Sequence, residues 1–329
     1  MLIVGSLNAK KEDRTLQRSE TVPLQLMLPD GTVHPVPAFR ELGELGISSI
    51  AWEKENPTKW YLSTGSDLLC IDIERNTREE LPVDNLAGVH EIAFIDSILW
   101  IANTRFDEVV GFDPKKNKVV DRIMLSDFRG NKNGAGNGYA KSDAHVVDKF
   151  HCNQVFESYQ GNLLALSHHV TGQQLMQKIA DKLLKKQGNG GIINIQSGEF
   201  RDLGLNAPHS VRKVDNRYWV FDSGAGTLNV YNKQWELIHR SAYIGWGRGG
   251  DLAQGRKSFY VGISAPRKRY LGVIKGPRQG VNKLLQMNVG NFKITREVEL
   301  ESIEQINNLY TISEEVASLL LKDSAKAHA

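Results

Sequence analysis

Residues 207–212 (APHSVR) and 218–224 (YWVFDSG) read as two β-strands joined by a turn at residues 215–217 (DNR). Their β-branched and aromatic residues favour extended structure, and an Asp-Asn pair is typical of tight turns. An antiparallel hairpin returns the end of its second strand to the start of its first. We therefore expect His209 and Asp222 to lie close together at one end of the hairpin.

The same hairpin pattern recurs along the chain with the same spacing. Trp100 lies ten residues after His90, and Asn103 lies thirteen residues after it. A tryptophan and an aspartate follow His209 at the same two intervals. Units of about 40–60 residues with up to four short strands are typical of β-propeller blades. The sequence therefore predicts an all-β fold, a six-bladed β-propeller, and five or seven blades stay open as alternatives.

Strand patterns at both ends of the chain fit this architecture. Residues 303–312 resemble a lone first strand, and residues 2–36 supply three further strand patterns. A blade assembled from both ends closes the ring and removes two exposed sheet edges. We therefore expect a single β-propeller domain over residues 1–329.

Two insertions interrupt the repeat. Residues 126–149 are rich in glycine and asparagine and predict a long loop. Their G-A-G-N-G run lacks the preceding strand and following helix that a nucleotide-binding fingerprint needs. Residues 173–187 place Leu175, Ile179 and Leu183 at helical spacing with lysines opposite, which predicts a short helix.

Composition narrows the classes of partner. The chain has 329 residues, of which 40% are hydrophobic and 24% charged, as in ordinary globular proteins. A net charge of +3 does not indicate nucleic-acid binding. Two cysteines are too few for a disulfide framework, and no apolar run reaches the ~18 residues of a membrane span. We expect a cytoplasmic protein that binds neither nucleic acid nor membrane.

The predicted blades bring polar side chains to one mouth of the central channel. In a propeller the innermost strand of each blade lines this channel, and its start shares a face with the end of the second strand. The first strands contribute His90, Glu91, His151, Asn153 and His209. The second strands contribute Asn103, Thr104, Arg105, His168, Asp222, Ser223 and Arg267.

Three histidines from different blades suggest a metal centre. His90, His151 and His209 would present imidazole nitrogens to one divalent ion, with zinc, iron and manganese as candidates. Glu91 or Asp222 would orient a ligand or act as the catalytic base. Two alternatives stay open. The imidazoles act without a metal, as acid–base or ligand-binding groups, or each only caps its strand by bonding to backbone.

Arginines at the same mouth predict an anionic ligand. Arg105 and Arg267 would form bidentate pairs with carboxylate, sulfate or phosphate, and a solvated basic loop is the alternative. Asn103, Asn153 and His168 would add polar contacts to the substrate, and an acidic sugar fits such a set. Cys152 is a weaker candidate nucleophile beside His151, because neighbouring residues of a strand face apart.

Several motifs resemble those of a known family. Residues 99–106 (LWIANTRF) are similar to an LWFVNTRF-like motif, and residues 150–153 (FHCN) to a CHLNG-like motif with histidine and cysteine exchanged. Residues 207–210 (APHS) and 219–224 (WVFDSG) resemble a PHSPR…LWLLDSG motif. The family comprises uncharacterised bacterial proteins classed as a domain of unknown function with a propeller-like repeat. The resemblance implies the fold and carries no activity with it.

Two functional classes follow from these features. The first is an enzyme of the lyase, isomerase or hydrolase type that acts on an anionic or carbohydrate-like small molecule. A Lewis acid or a proton-transfer group beside an anion-binding arginine would serve each of these reactions. The second is a non-catalytic propeller whose channel binds a ligand or a protein peptide.

Overall fold

The computed structural model describes residues 1–128, 148–173, 175–184, 188–266 and 281–326. In these residues 24 strands form six antiparallel sheets of four strands each, arranged as a ring of blades. The predicted six-bladed β-propeller is thus confirmed. The glycine-rich part of the predicted loop, residues 129–147, and residues 267–280 with Arg267 lie outside the described residues.

Blade one takes its strands from both ends of the chain. From the outer edge inward it contains β3 (Val33–Pro35), β2 (Leu24–Met27), β1 (Leu2–Ser6) and β24 (Gln305–Tyr310). Leu2 pairs with Tyr310, and Ile3 with Leu309, in an antiparallel ladder. The Tyr310 hydroxyl lies 2.9 Å from Ser49 Oγ in blade two, which joins the last innermost strand to the first.

Each of the other five blades takes four consecutive strands, starting from the innermost one. Blade two contains β4 (Ser49–Ala51), β5 (Lys59–Ser63), β6 (Leu68–Asp72) and β7 (Thr77–Glu80). Blade three contains β8 (Ile92–Ile95), β9 (Ile98–Asn103), β10 (Glu108–Asp113) and β11 (Lys118–Met124). Blade four contains β12 (Cys152–Glu157), β13 (Leu163–Ser167), β14 (Gly190–Asn194) and β15 (Phe200–Leu205). Blade five contains β16 (Pro208–Val214), β17 (Arg217–Asp222), β18 (Thr227–Tyr231) and β19 (Leu237–Ala242). Blade six contains β20 (Trp246–Leu252), β21 (Ser258–Ser264), β22 (Lys283–Asn288) and β23 (Ile294–Glu299).

Each pair of neighbouring blades encloses its own apolar core. In β17, Tyr218 and Val220 pack against blade four, whereas Trp219 and Phe221 pack against blade six. All four side chains are fully buried, because successive residues of a strand point to opposite faces and both faces are covered. This explains why the second strand of the hairpin reads as a continuous apolar run.

Two α-helices lie outside the blades. Helix α1 (Leu175–Leu184) confirms the predicted short helix, although Ile179 and Leu183 are exposed. Helix α2 (Glu314–Lys326) was not predicted. Its Val316 and Leu320 are buried in the core between blades one and two. Neither α-helix, as far as it is described, is long and apolar enough to cross a membrane. Short 3-10 helices cover Lys11–Asp13, Arg18–Glu20, Pro37–Phe39, Thr104–Phe106 and Leu125–Phe128.

The strand that completes blade one should be important for stability. Leu309 on β24 is fully buried, whereas Leu237 on the outer strand β19 is 46% exposed. We expect Leu309→Ala to lower the free energy of unfolding by about 3 kcal/mol, since it leaves a cavity in the core. The matched change Leu237→Ala should cost less than about 1 kcal/mol. Denaturant unfolding measures both, and equal losses would contradict the packing described for β24.

Candidate functional site

Four histidine rings from three blades meet at the mouth of the channel where the innermost strands begin. The ring centroids of His151 and His168 lie 4.2 Å apart, and those of His90 and His151 lie 5.1 Å apart. His209 lies 5.3 Å from His168 and 6.0 Å from His90. We call this cluster the histidine mouth. The structure thus brings together the three histidines that the sequence nominated as metal ligands, with His168 beside them.

His209 is held in one orientation and one tautomer. Its Nδ1 lies 3.0 Å from the Ala207 carbonyl and 2.9 Å from Ser223 Oγ. The Ser223 hydroxyl donates its own proton to the Gly247 carbonyl at 2.6 Å. Because a carbonyl only accepts, Nδ1 of His209 must carry the proton. Its Nε2 accepts a hydrogen bond from the Arg248 guanidinium at 3.0 Å.

His90 repeats this arrangement in blade three. Its Nδ1 lies 2.8 Å from the Gly88 carbonyl and 2.9 Å from Thr104 Oγ1. The Thr104 hydroxyl donates to the Cys152 carbonyl of blade four at 2.5 Å. Here too the proton lies on Nδ1, so Nε2 is the acceptor nitrogen. Thr104 and Ser223 are therefore positioning residues whose role the residue spacing did not reveal.

Blade four departs from the repeat. His151 has a left-handed backbone (φ 51°), as do Gly88 and Ala207, the residues two before the other histidines. In the strand register His151 therefore corresponds to Gly88 and Ala207, and not to the histidines that follow them. Asn153 takes the histidine position and donates from Nδ2 to the Pro208 carbonyl at 2.6 Å.

His151 forms a pair with a carboxylate. Its Nδ1 lies 2.8 Å from Asp148 Oδ1, and its side chain is 28% exposed. Burial raises the pKa of Asp148, but the hydrogen bond and the charge of His151 outweigh burial and bring this pKa below its usual value. An ionised Asp148 accepts a hydrogen bond from Nδ1–H of His151, so in the neutral ring Nε2 is the nitrogen that can take up a proton.

His168 replaces the hydroxyl residue of the repeat and is 8% exposed. Its Nε2 is buried and has no hydrogen-bond partner among the residues described. Burial, followed by repulsion from His151, holds the pKa of His168 well below its usual value. Burial and the nearby Arg248 charge do the same to the pKa of His209. Two imidazoles of the mouth are therefore neutral at neutral pH.

Glu91 is part of a buried ion pair deeper in the channel. Its Oε1 accepts hydrogen bonds from Arg212 Nη1 at 2.7 Å and from Gln154 Nε2 at 3.1 Å. Its Oε2 accepts from the Ser210 hydroxyl at 3.0 Å. Arg212 also donates from Nη2 to Asn308 Oδ1 in blade one, at 2.5 Å. We call this network, Glu91, Gln154, Ser210, Arg212 and Asn308, the channel clasp.

The other nominated residues lie around the histidine mouth. Asn103 is fully buried and its Oδ1 accepts from the Ala87 backbone N–H at 2.8 Å. Asp222 Oδ1 accepts from the Asn206 backbone N–H at 2.8 Å. Both side chains thus hold the loops that lead into the innermost strands. Arg105 is exposed, and its charge helps to lower the pKa of Asp148.

Sequence reasoning missed two residues of the site. Arg248 is 9% exposed and lies on β20, which begins at Trp246. Asp148 fell inside the predicted long loop. The spacing gave no signal for Arg248, because Trp246 lies 18 residues before its ladder partner Ser264, whereas Pro208 lies 14 residues before Asp222.

The described residues contain no group of three or more histidine, cysteine, aspartate or glutamate side chains arranged to hold a metal ion. The rings of His151 and His168 lie at 34° to each other, as in ring packing. The divalent metal on His90, His151 and His209 stays a prediction.

The channel clasp generates a stability prediction. Removing one partner of a buried ion pair leaves the other charge uncompensated. We expect Glu91→Gln to lower the free energy of unfolding by about 3 kcal/mol. Glu157→Gln is the control, since Glu157 pairs with Lys213 at 3.1 Å with 41% of its side chain exposed. That change should cost less than about 1 kcal/mol in denaturant unfolding. Similar losses of unfolding free energy for both variants would show that burial of the clasp adds nothing to the stability of the fold.

The neutral histidines generate a pH prediction. The pKa values of His168 and His209 are depressed in the folded protein, so only the unfolded chain gains their protons as the pH falls through about 6.5. Stability is therefore retained above that pH and lost below it, by about 1.4 kcal/mol per pH unit for each histidine. We expect His168→Gln to flatten this dependence. Unfolding free energies from pH 7.5 down to about pH 5.5 measure the slope. An unchanged slope would refute a neutral buried His168.

Comparison with known proteins finds similar folds and one family model that matches part of the chain. A crystal structure of a protein of unknown function from Bacteroides caccae is similar at a TM-score of 0.54 and 14% identity, over 93% of this chain and 96% of that one. A candidate 6-phosphogluconolactonase from Bacteroides fragilis is similar at a TM-score of 0.54 and 12% identity, over 94% and 84% of the two chains. The chain spans 66% of a Kuenenia stuttgartiensis hydrazine synthase chain, with 78% of its own length aligned at a TM-score of 0.44 and 12% identity.

At these identities the two Bacteroides structures show the fold alone. No curated protein sequence matches the chain. Residues 176–313 match the family described as a domain of unknown function (DUF4915). This match and the six-bladed ring together confirm the resemblance to an uncharacterised family of propeller proteins.

Proposed function

We propose that the histidine mouth is the active site of an enzyme that transfers a proton on a small anionic molecule. The observation that carries this proposal is the His151–Asp148 pair, whose Nδ1–Oδ1 distance is 2.8 Å. A carboxylate that accepts a hydrogen bond from Nδ1–H leaves the other ring nitrogen free to take a proton and stabilises the imidazolium that forms. His151 is partly exposed, so a substrate in the mouth can reach it.

Positive charge around the mouth supports an anionic substrate. Arg248 is held by His209 at 3.0 Å and by Asn307 Oδ1 at 3.1 Å, with little exposure to solvent. A guanidinium in a fixed position binds a carboxylate or phosphate at low entropic cost. Arg105 adds a second, exposed cation on the Asp148 side of the mouth.

The neutral imidazoles support a substrate that also carries hydroxyl or carbonyl groups. Nε2 of His168 is a buried polar atom at the centre of the mouth and makes no hydrogen bond within the described chain. A neutral imidazole nitrogen either donates to an oxygen or accepts from a hydroxyl. A sugar acid or a phosphorylated sugar supplies both an anion and hydroxyl groups.

A base beside an anion site serves three reaction types. Removal of a proton next to a carboxylate begins a lyase or isomerase reaction, and removal of a proton from water begins hydrolysis. A divalent metal on the same histidines would add a Lewis acid to this chemistry. A channel that binds the same anions without turnover is the second candidate, favoured by the engagement of His209 Nε2 with Arg248.

Proton transfer can be detected before the natural substrate is known. We expect the wild-type protein, incubated in deuterium oxide with a panel of sugar acids and sugar phosphates, to exchange or convert at least one compound, as followed by NMR. His151→Gln should lower that rate at least about 100-fold and keep binding, because it removes only the base. Arg248→Met should weaken binding of the anion.

His239→Gln is the matched control. His239 lies on the outer strand β19, stacked on Phe292, and has no contact with the mouth. This variant should keep the wild-type rate and affinity. Binding without exchange or conversion in the wild type would favour the non-catalytic channel. An unchanged rate in folded His151→Gln would refute the role of His151 as the base.

A further inference from the structure

A cavity of about 450 Å³ lies at the end of the channel opposite the histidine mouth. Its walls are the far halves of the innermost strands β4, β8, β12 and β16, together with Tyr310. Lys213 on this wall lies four residues beyond His209, roughly 13 Å along the strand. Glu91, Gln154 and Arg212 of the channel clasp form part of the cavity lining, so the clasp separates the two ends. We call this space the far cavity.

Aromatic side chains from four blades line the far cavity. They are Trp52, Phe94, Phe156 and Tyr310. The Trp52 ring lies 5.5 Å from Tyr310 in an edge arrangement and 6.0 Å from Trp60 in a stacked one. Phe94 lies 5.1 Å from Tyr61, also in an edge arrangement. Because neighbouring rings fix these side chains, the cavity presents aromatic surface in a set geometry.

The charges on the cavity wall do not cancel. Two of its three carboxylates are neutralised locally, Glu91 by Arg212 at 2.7 Å and Glu157 by Lys213 at 3.1 Å. The third, Asp96, lies on the exposed turn between β8 and β9, and both cations of the lining are already paired. The lining therefore carries one net negative charge. The histidine mouth, with Arg105 and Arg248, has the opposite character.

We propose that the far cavity binds a small organic cation of the methylated ammonium type. The face of an aromatic ring attracts a cation through the ring quadrupole, most strongly for tryptophan. Methyl groups on the nitrogen fill apolar space between rings, and the Asp96 carboxylate, which the cations of the described lining leave unpaired, balances the charge. A cavity of this size is within the range of small-molecule sites. This site is independent of the proton-transfer reaction proposed for the histidine mouth.

Choline and its uncharged analogue 3,3-dimethylbutan-1-ol test the proposal, because the two molecules have nearly the same shape. We expect the full-length protein to bind choline about tenfold more tightly than the neutral alcohol in calorimetric titration. Trp52→Leu should remove most of this preference, since leucine keeps apolar volume but has no aromatic face. Asp96→Asn should weaken choline binding about threefold and leave the alcohol unaffected, because the carboxylate is exposed to solvent.

The asparagine variant remains informative if Trp52→Leu fails to fold. Asp96 has a left-handed backbone (φ 50°), which asparagine adopts readily, so the turn should be retained. Asp215→Asn is the matched control. Asp215 occupies the corresponding turn of blade five (φ 46°) and pairs with Arg256 outside the cavity. It should leave choline affinity unchanged. Equal affinity for choline and the alcohol, no choline binding, or full binding in Asp96→Asn would each overturn the proposal.

Discussion

The Glu91 carboxylate is the point at which the blades are tied together. It accepts hydrogen bonds from blades four and five, and Arg212 extends the network to blade one. Removing two charges from water costs several kcal/mol, so such a pair persists only when nearly every donor and acceptor is matched. The innermost strands that carry this network must therefore keep fixed positions relative to one another along the channel axis. This constraint also divides the channel, and it leaves chemically different spaces at the two ends.

The candidate site lies where blade four departs from the structural repeat. In blades three and five a hydroxyl residue fixes a histidine and joins the blade to its neighbour. In blade four Asn153 stands at the histidine position and makes the hydrogen bond to the neighbouring blade. His168 stands at the hydroxyl position, and its Nε2 makes no hydrogen bond within the described chain. His151, two positions earlier, then pairs with Asp148. The repeated histidine–hydroxyl pairs of blades three and five hold neighbouring blades together. Blade four lacks such a pair, and its His168 Nε2 has no hydrogen-bond partner among the described residues.

Much of the fold could be predicted because the spacing from histidine to tryptophan reflects a fixed hairpin length. The pairing of the two ends of the chain was likewise visible as an unmatched strand pattern. The register of His151 was not visible. In blade four Asn153 takes the position that histidine has in blades three and five, and His151 stands two residues earlier, so a histidine still opens the strand pattern although it belongs to another register position. Arg248 was missed because it lies between glycines at the start of β20 (WGRGG), and glycine is depleted in strand patterns. Helix α2 buries only a narrow stripe, which is a weak periodic signal.

The pairing of β24 with β1 has a consequence for biosynthesis. The partner of Leu2 and Ile3 is made after every other strand of the ring, since it lies at residues 309–310. While the chain is still on the ribosome, β1 must wait with an unpaired edge, and such an edge is able to capture a strand from another molecule. Synthesis of β24 thus lets each copy complete the ring with a strand of its own.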